Sequence, residues 1–276
     1  MRQINILLKR NMIRFWKSKT RIFFTFLSPL FYLLIYFLFV KNTISRNAPT
    51  AEIGKIMADS YLLFGIVSVT TLTSALSICS IMMEDKENQV LPDLLITPTK
   101  SSHIRFAYVL SNFIINTVVS LFVFIIVIIY MAINKTLINP WTNYVAFIPL
   151  IVVSTLINAL IFTLIVSFIK QRTIYTVLVS IVSSVIGFFI GAYTPWNIMP
   201  DFILQISSEF PQTQLTNIFK WLSLGSNEVY GPKFLPANEF ILFGKEINIW
   251  QSIAYVGGFV AILAIINLTY KFKLQK

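Results

Sequence analysis

Six long stretches of the 276-residue chain contain no Asp, Glu, Lys, Arg or His. They are residues 22–40, 61–83, 106–133, 144–169, 173–194 and 250–270. A helix needs about 20 apolar residues to cross the hydrocarbon core of a bilayer, which is roughly 30 Å thick. Each stretch suits that length, so the sequence predicts an all-α integral membrane fold with six transmembrane helices.

We expect the whole chain, residues 1–276, to form a single transmembrane domain. Residues 1–21 are predicted to form an amphipathic interfacial helix, and residues 22–194 contain spans one to five. Residues 195–249 form an outer segment with short helices, residues 250–270 form span six, and residues 271–276 form a cytoplasmic tail.

The composition excludes an ordinary soluble enzyme. Hydrophobic residues make up 56% of the chain and charged residues only 12%, whereas about 25% of residues are charged in a typical soluble domain. The formal net charge is +11, and a strongly basic chain often binds nucleic acid. A chain with so few polar residues belongs in a membrane instead, so we expect no nucleic-acid partner.

The distribution of Lys and Arg predicts the orientation, because short cytoplasmic loops of membrane proteins are enriched in both residues. A cytoplasmic N-terminus places 15 of the 22 Lys and Arg on that side, in segments 1–21, 84–105, 170–172 and 271–276. The outer segments then hold seven basic and seven acidic residues. We therefore expect a multi-pass protein of the cell membrane with both termini in the cytoplasm.

The six stretches lack the groups that several chemistries need. One cysteine, Cys79, and one histidine, His103, cannot form an intrachain disulfide or a Cys/His metal cluster. Secondary transporters usually place ionisable residues inside the membrane, which disfavours ion-coupled transport here. No G-x-x-x-x-G-K-S/T phosphate-binding sequence is present either. We predict no catalytic residue, metal or cofactor on this chain, so energy for work has to come from another chain.

The N-terminal segment predicts a helix that lies on the membrane surface. Its basic residues share one side of a helical wheel: Lys9, Arg10, Arg14 and Lys17. An apolar face lies opposite, formed by Ile4, Leu7, Leu8, Met12 and Phe15. This pattern is typical of an interfacial helix bound to anionic lipid headgroups. The alternative is a basic flank that only sets the topology.

The loop after span two concentrates all four acidic residues that are predicted to be cytoplasmic. Its candidate partner-binding residues are Glu84, Asp85, Glu87, Asp93, Leu94, Leu95, Thr97 and Pro98. A Leu-Leu pair beside acidic residues and before a Thr-Pro stop predicts a short helix with an apolar knob and an acidic rim. Such a helix suits docking on a partner protein, and the alternative is a solvated connecting loop.

Two spans carry stripes of small or hydroxyl residues at helical spacing. Span two has Thr70, Thr73, Ser77 and Ser80, and span five has Thr176, Ser180, Ser184, Gly187 and Gly191. The last two form a G-x-x-x-G pair, which allows close approach of helix backbones. Either stripe is consistent with packing inside one subunit, with an interface between protomers or with the wall of a pathway.

The outer segment shows signals for short helices. Turns are predicted at Pro200 and Pro211, and apolar residues then recur at helical spacing, at Leu215, Ile218, Phe219 and Leu222. We expect short amphipathic helices that cap the outer leaflet or partly re-enter it.

These features together resemble the membrane subunit of type-2 ABC exporters, the ABC-2 permease family. The basic start, the six spans, the acidic loop and the long outer segment all match, over nearly the whole chain. The most specific stretch runs from Glu84-Asp85-Lys86-Glu87 to Asp93-Leu94-Leu95-Ile96-Thr97-Pro98. It is similar to the family's E-x-E and LL-x-TP loop, with Asn88-Gln89 in place of the family's Gly-Thr. The step at Phe210-Pro211 resembles the one between the family's two outer helices.

The resemblance implies several partners. Residues 84–98 would form the coupling helix that contacts a separate ABC ATPase subunit, and ATP and Mg would bind to that partner. Residues 4–15 would form a connecting helix. A second permease protomer, identical or a related paralogue, would complete the transporter, with the pathway between spans two and five of the two halves.

We therefore interpret the chain as the permease subunit of an ATP-driven exporter. The uncharged spans favour an amphiphilic or hydrophobic compound, such as a drug, an antibiotic, a lipid-like toxin or a peptide. One alternative is translocation of a lipid-linked polysaccharide or a cell-wall precursor. A second is a membrane scaffold or sensor subunit that transports nothing, and a third is a secondary transporter driven by an ion gradient.

Overall fold

The computed structural model describes residues 2–46, 48, 50–97, 99–193, 200–225 and 240–269, and most of them are helical. Six helical stretches of this described part are long and apolar enough to cross a membrane. They are Lys19–Arg46, Ala51–Glu87, Ser101–Ile133, Trp141–Phe168, Arg172–Phe189 and Ile249–Thr269. The predicted all-α fold with six spans is confirmed, and the chain is a multi-pass membrane protein. The predicted span ends at residues 194 and 270 lie outside the described residues.

The helices follow one another with short connections. In chain order they are α1 Arg2–Lys17, α2 Lys19–Ile35, α3 Lys41–Arg46, α4 Ala51–Ile78, α5 Ser80–Glu87, α6 Val90–Ile96, α7 Ser101–Ile133, α8 Trp141–Phe168, α9 Arg172–Phe189, α10 Asp201–Ser208, α11 Pro211–Lys220 and α12 Ile249–Thr269. Two π-helical turns, Tyr36–Val40 and Trp221–Gly225, continue α2 and α11. The strands β1 Ile241–Leu242 and β2 Lys245–Glu246 pair as an antiparallel hairpin.

The two ends of the bundle carry different elements. The helices α1, α5 and α6 lie at one end, which we call the α1 end. The helix α10, the end of α11 and the hairpin lie at the other end, which we call the α11 end. Long antiparallel helices connect the two ends.

The helix α4 forms the centre of the subunit. It is buried along almost its whole length, and α2, α7, α8, α9 and α11 pack around it. Two asparagines of α7 join it by hydrogen bonds to backbone carbonyls, from Asn112 to Ala75 at 2.8 Å and from Asn116 to Thr71 at 2.7 Å. Such bonds between helices stabilise packing in a membrane, where lipid offers no alternative partner.

The start of α4 corrects the predicted beginning of the second spanning helix. The hydroxyl of Thr50 accepts a hydrogen bond from the Ile53 amide and caps the helix. The helix therefore begins at Ala51 rather than at residue 61, and it includes Asp59, whose side chain is fully buried. The Asp59 carboxylate accepts hydrogen bonds from the hydroxyls of Tyr36 at 3.0 Å and Thr136 at 2.8 Å.

The helix α11 begins in the middle of the bundle and runs toward the α11 end. The predicted turns coincide with helix starts, since Pro200 precedes α10 and Pro211 is the first residue of α11. All ten residues of α11 are buried. Its Gln212 accepts hydrogen bonds from Ser154 and Asn158 of α8, each at 2.9 Å, so a polar network holds the helix in place.

The outward faces of α2, α9 and α12 are apolar and exposed. On α2 they include Phe23, Phe24, Leu30, Phe31 and Leu34; on α9, Ile174, Val177, Ile181, Val185 and Phe188; on α12, Ile262, Ile265 and Leu268. Exposed apolar surface of this extent indicates contact with lipid or with another protein. These three faces are therefore available for both.

Candidate functional site

Four consecutive charged residues, Glu84-Asp85-Lys86-Glu87, form the last turn of α5. We call this segment the charged turn. Neighbouring residues of an α-helix point about 100° apart because there are about 3.6 residues per turn. The four side chains therefore leave the helix in four directions, and each reaches a different neighbour.

Asp85 is the buried member of the charged turn. Its side chain is fully buried, and its carboxylate forms ion pairs with Arg10 and Arg14 of α1. The hydroxyl of Tyr108 on α7 also donates a hydrogen bond to this carboxylate. A buried carboxylate is costly unless it is paired and hydrogen-bonded, and these three donors supply that. The contacts fix α1 against α5 and α7.

Glu84 joins α1 to the first turn of α2. Its carboxylate pairs with Arg14 at 3.2 Å and also with Arg21. The Arg21 guanidinium donates a second hydrogen bond to the backbone carbonyl of Arg14 at 3.1 Å. Glu84 thereby binds both sides of the turn from α1 into span one.

Lys86 caps the end of α8. Its ammonium group donates hydrogen bonds to the carbonyls of Val166, Ser167 and Ile169 at 2.8, 2.9 and 2.7 Å. The last carbonyls of a helix have no partner within the helix, and the helix dipole places partial negative charge there. One ammonium thus satisfies three carbonyls at the end of span four.

Glu87 reaches the beginning of α9. It pairs with Arg172 at 2.6 Å, and the two side chains are about half exposed, at 47% and 53%. Exposed ion pairs contribute little stability. This contact is therefore the weakest of the four that the charged turn makes.

A short helix continues from the charged turn and projects from the bundle. Gln89 lies between α5 and α6 in the left-handed region, with a φ of 59°, so the chain changes direction there. Leu91 is buried and anchors α6, whereas Asp93 is exposed and Ile96 is 75% exposed.

The other predicted residues of this loop are less exposed or cap the helix end. Leu94 and Leu95 are partly buried, and the hydroxyl of Thr97 donates to the Leu94 carbonyl at 2.6 Å. Pro98, another predicted member of this loop, lies outside the described residues.

The structure brings together two sites that were predicted separately. Glu84 and Asp85 of the acidic loop bind Arg10 and Arg14 of the N-terminal helix, so these arginines face protein. This corrects the expectation that all four basic residues of α1 form an outward face, although Lys9 and Lys17 are exposed.

The residues that the prediction missed include Arg21, Lys86, Tyr108 and Arg172. The sequence signal for this pairing is the opposite charge of the two segments, since the N-terminal segment is entirely basic and the loop is mainly acidic. On α1 the exposed apolar side chains are Ile6, Ile13 and Trp16, and none of them belongs to the apolar face that was predicted for this helix.

The hydroxyl stripe of span two points mainly into the subunit. Thr70 and Thr73 are buried, which for these two residues favours packing inside one subunit among the alternatives left open. Ser77 and Ser80 are partly exposed, and Ser77 lies 3.2 Å from the hydroxyl of Thr25 on α2. The accessible part of the stripe is therefore close to the α1 end.

The stripe of span five divides into two parts. Thr176, Ser180 and Ser184 are exposed, and each hydroxyl donates to the carbonyl four residues earlier in α9. These residues therefore present a smooth, small-residue surface.

The two glycines do not form a G-x-x-x-G face, because α9 ends at Phe189. Gly187 is buried against the ring of Tyr193, where a Cβ atom would lie 2.1 Å from the ring. Gly191 follows the helix with a φ of 72°, a conformation that favours glycine at a helix end.

The fold and the site define a helical membrane protein with a projecting helix tied to its spans by charged contacts. The model of the ABC-2 type transporter family matches residues 2–221, and the chain belongs to that family. It is accordingly a membrane permease subunit of an ABC transporter, and the family associates with an ABC ATPase subunit. No curated protein matches the chain.

The contrast between the buried and the exposed carboxylates of the charged turn is testable. Asp85→Asn removes one buried partner of the Arg10 and Arg14 pairs, a type of change that costs about 3 kcal/mol or more. Glu87→Gln disrupts an exposed pair and should cost at most about 1 kcal/mol. The free energy of unfolding, measured for both variants in the same detergent micelles, checks this order. Equal losses would contradict the assignment of Asp85 as the buried anchor.

Proposed function

We propose that this chain is the permease subunit of an ATP-driven exporter that moves an amphiphilic or hydrophobic compound out of the cell. The observation that carries the proposal is the position of α6. This helix exposes Asp93 and Ile96 beside the charged turn, which contacts α1, α2, α7, α8 and α9. A protein that displaces α6 would act on all of these elements.

The ATPase partner supplies the energy, and it binds ATP and Mg. In this proposal the α1 end faces the cytoplasm, both termini are cytoplasmic, and the ATPase docks on α6. The apolar Ile96 and the neighbouring Asp93 give the small docking surface an apolar centre and an acidic rim. Movement of α6 then passes through the charged turn to spans one, four and five.

The proposed substrate class follows from the exposed faces of the spans. The outward sides of α2 and α9 are apolar, with hydroxyls from Thr176, Ser180 and Ser184 along α9. Such surfaces suit a compound with a large apolar part and a few hydrogen-bonding groups. A charged glycan would need basic residues along its route, and the six uncharged stretches contain none. Export of a lipid-linked polysaccharide is therefore the second candidate.

A second permease protomer is the remaining partner in the proposal, either identical or a related paralogue. Only a small part of α9 is buried within the described subunit, and its small residues permit close packing against a second helix. The two protomers would pack through α9, with membrane lipid around the rest of the bundle.

Reconstitution tests the function. We expect the permease and its ATPase in vesicles to hydrolyse ATP faster when amphiphilic compounds are added. Ile96→Asp should abolish both the stimulation and co-purification of the ATPase, because a charge replaces the apolar centre of the docking surface. The matched control is Ile133→Asp, since Ile133 is 77% exposed but lies at the α11 end.

The control should retain ATPase binding and stimulation. Stable binding without stimulation by any of a broad panel of compounds would favour a scaffold subunit over a transporter. Transport driven by an ion gradient in the absence of the ATPase would contradict the proposal.

The protomer interface has its own test. Cys79 is the single cysteine of the chain and is buried, so the unmodified protein serves as the blank. We expect Ser184→Cys to form a disulfide-linked dimer under mild oxidation in membranes, whereas Ile125→Cys on the exposed face of α7 should stay monomeric. A result in which Ser184→Cys remains monomeric would place the interface elsewhere.

A further inference from the structure

The hairpin before span six presents an aromatic ring at its tip. Phe243 and Gly244 connect β1 to β2 with φ values of 51° and 72°. A turn with two positive φ angles normally prefers Asn-Gly, and a bulky residue in this conformation is unusual. The ring of Phe243 is also 64% exposed, so burial inside the described subunit does not explain its presence.

The ring lies beside span six, well past the start of the helix. Phe243 and Tyr255 form an edge-to-face pair with ring centroids 6.4 Å apart, and Tyr255 is followed by Phe259 at 5.9 Å. A helix rises about 1.5 Å per residue, so Tyr255 lies about 9 Å along the helix axis from Ile249. The hairpin therefore folds back along α12 rather than extending away from the bundle.

The length of α12 relates this position to the bilayer. The helix has 21 residues and no charged side chain, which at about 1.5 Å per residue just matches a hydrocarbon core of roughly 30 Å. Its beginning consequently lies near the boundary of the hydrocarbon, and Trp250 there is 75% exposed. Exposed Trp at such a boundary is typical of the aromatic belt. A ring this far past the start of α12 is expected at the level of lipid chains.

Three hydrogen bonds hold the hairpin and its neighbours at this level. The amide group of Gln214 on α11 donates to the Ile241 carbonyl at 2.8 Å and accepts from the Ser252 hydroxyl at 3.0 Å. The hydroxyl of Tyr255 donates to the carbonyl of Glu209, just after α10, at 2.5 Å. The helix α10 adds exposed apolar side chains at the same end, Phe202 and Ile206.

We propose that the Phe243 ring inserts among the phospholipid chains of the leaflet at the α11 end and anchors the hairpin to the membrane. In the proposed orientation this is the outer leaflet. The exposed Lys245 and Glu246 lie nearer the base of the hairpin, where headgroups and water accommodate charge. Because Gln214 binds the hairpin backbone, the anchor also holds the beginning of α11 at a fixed depth. Insertion of the Phe243 ring requires neither an ATPase partner nor transport.

Spin labels at introduced cysteines measure the depth directly, with the unmodified protein, whose Cys79 is buried, as the blank. Phe243→Cys is labelled with a nitroxide in vesicles of a neutral phospholipid, with Ile262→Cys on the exposed face of α12 as the lipid reference. Glu52→Cys, in the exposed first turn of α4, is the water reference. Molecular oxygen concentrates in lipid and a neutral nickel chelate in water, so the ratio of their collision rates reports depth.

We expect the ratio of oxygen to nickel collisions at position 243 to resemble that at 262 and to exceed that at 52. A ratio equal to that at position 52 would overturn the proposal, because the tip would then lie in water. Low collision rates with both reagents would also overturn it, since the tip would then be covered by protein. Size-exclusion profiles of the labelled proteins identify a variant that fails to fold.

A second measurement keeps the native ring in place. The label is attached at Lys245→Cys, once with Phe243 present and once with Phe243→Asn, which gives the turn its favoured Asn-Gly pair. Loss of the ring should raise nickel collisions at position 245, because the hairpin leaves the lipid while its turn is preserved. Unchanged collision rates would contradict an anchoring role for Phe243.

Discussion

The buried carboxylate of Asp85 is the constraint on which the α1 end of the structure depends. A carboxylate removed from water requires opposite charge and hydrogen-bond donors close by. Arg10, Arg14 and Tyr108 supply them, and they come from two helices distant in sequence from α5. The amphipathic first helix is therefore held on the bundle by ion pairs, in addition to the burial of Phe15.

The other members of the charged turn extend this constraint to the remaining spans. Glu84 binds the start of α2, Lys86 binds the last carbonyls of α8, and Glu87 binds the start of α9. The segment before α6 is thus joined to nearly every element at this end. A connection of this kind explains how a force on one short helix can reach several spans, and it gives the family assignment a physical basis in this chain.

The sequence predicted best what depends on local composition. Spans were recognised because each needs about 20 apolar residues, and Pro200 and Pro211 marked helix starts because proline suits the first turn of a helix, where its missing N–H would have no partner. The partners of the charged residues were harder to predict, because tertiary packing decides which face of α1 turns toward the protein and carries Arg10 and Arg14 with it. The same limit applies to Gly187 and Gly191. Their spacing matches a helix-packing motif, but α9 ends between them and the ring of Tyr193 packs against Gly187.

Asp59 shows a different limit. The hydropathy pattern places the start of span two at residue 61, where uninterrupted apolar sequence begins, whereas the cap at Thr50 starts the helix at Ala51. The carboxylate is accommodated because Tyr36 and Thr136, from span one and from the connection after span three, both donate to it. Neither contact is visible in local sequence.

The proposed role of the charged turn is to transmit movement of α6 to the spans, in addition to holding the fold, and one substitution separates these two roles. Lys86→Met keeps the approximate shape of the side chain but removes the ammonium that binds the end of α8. With its ATPase in vesicles, this variant should bind the ATPase and hydrolyse ATP at the basal rate, yet lose stimulation by amphiphilic compounds and transport of them. Unchanged stimulation and transport in a stably folded Lys86→Met protein would contradict the account.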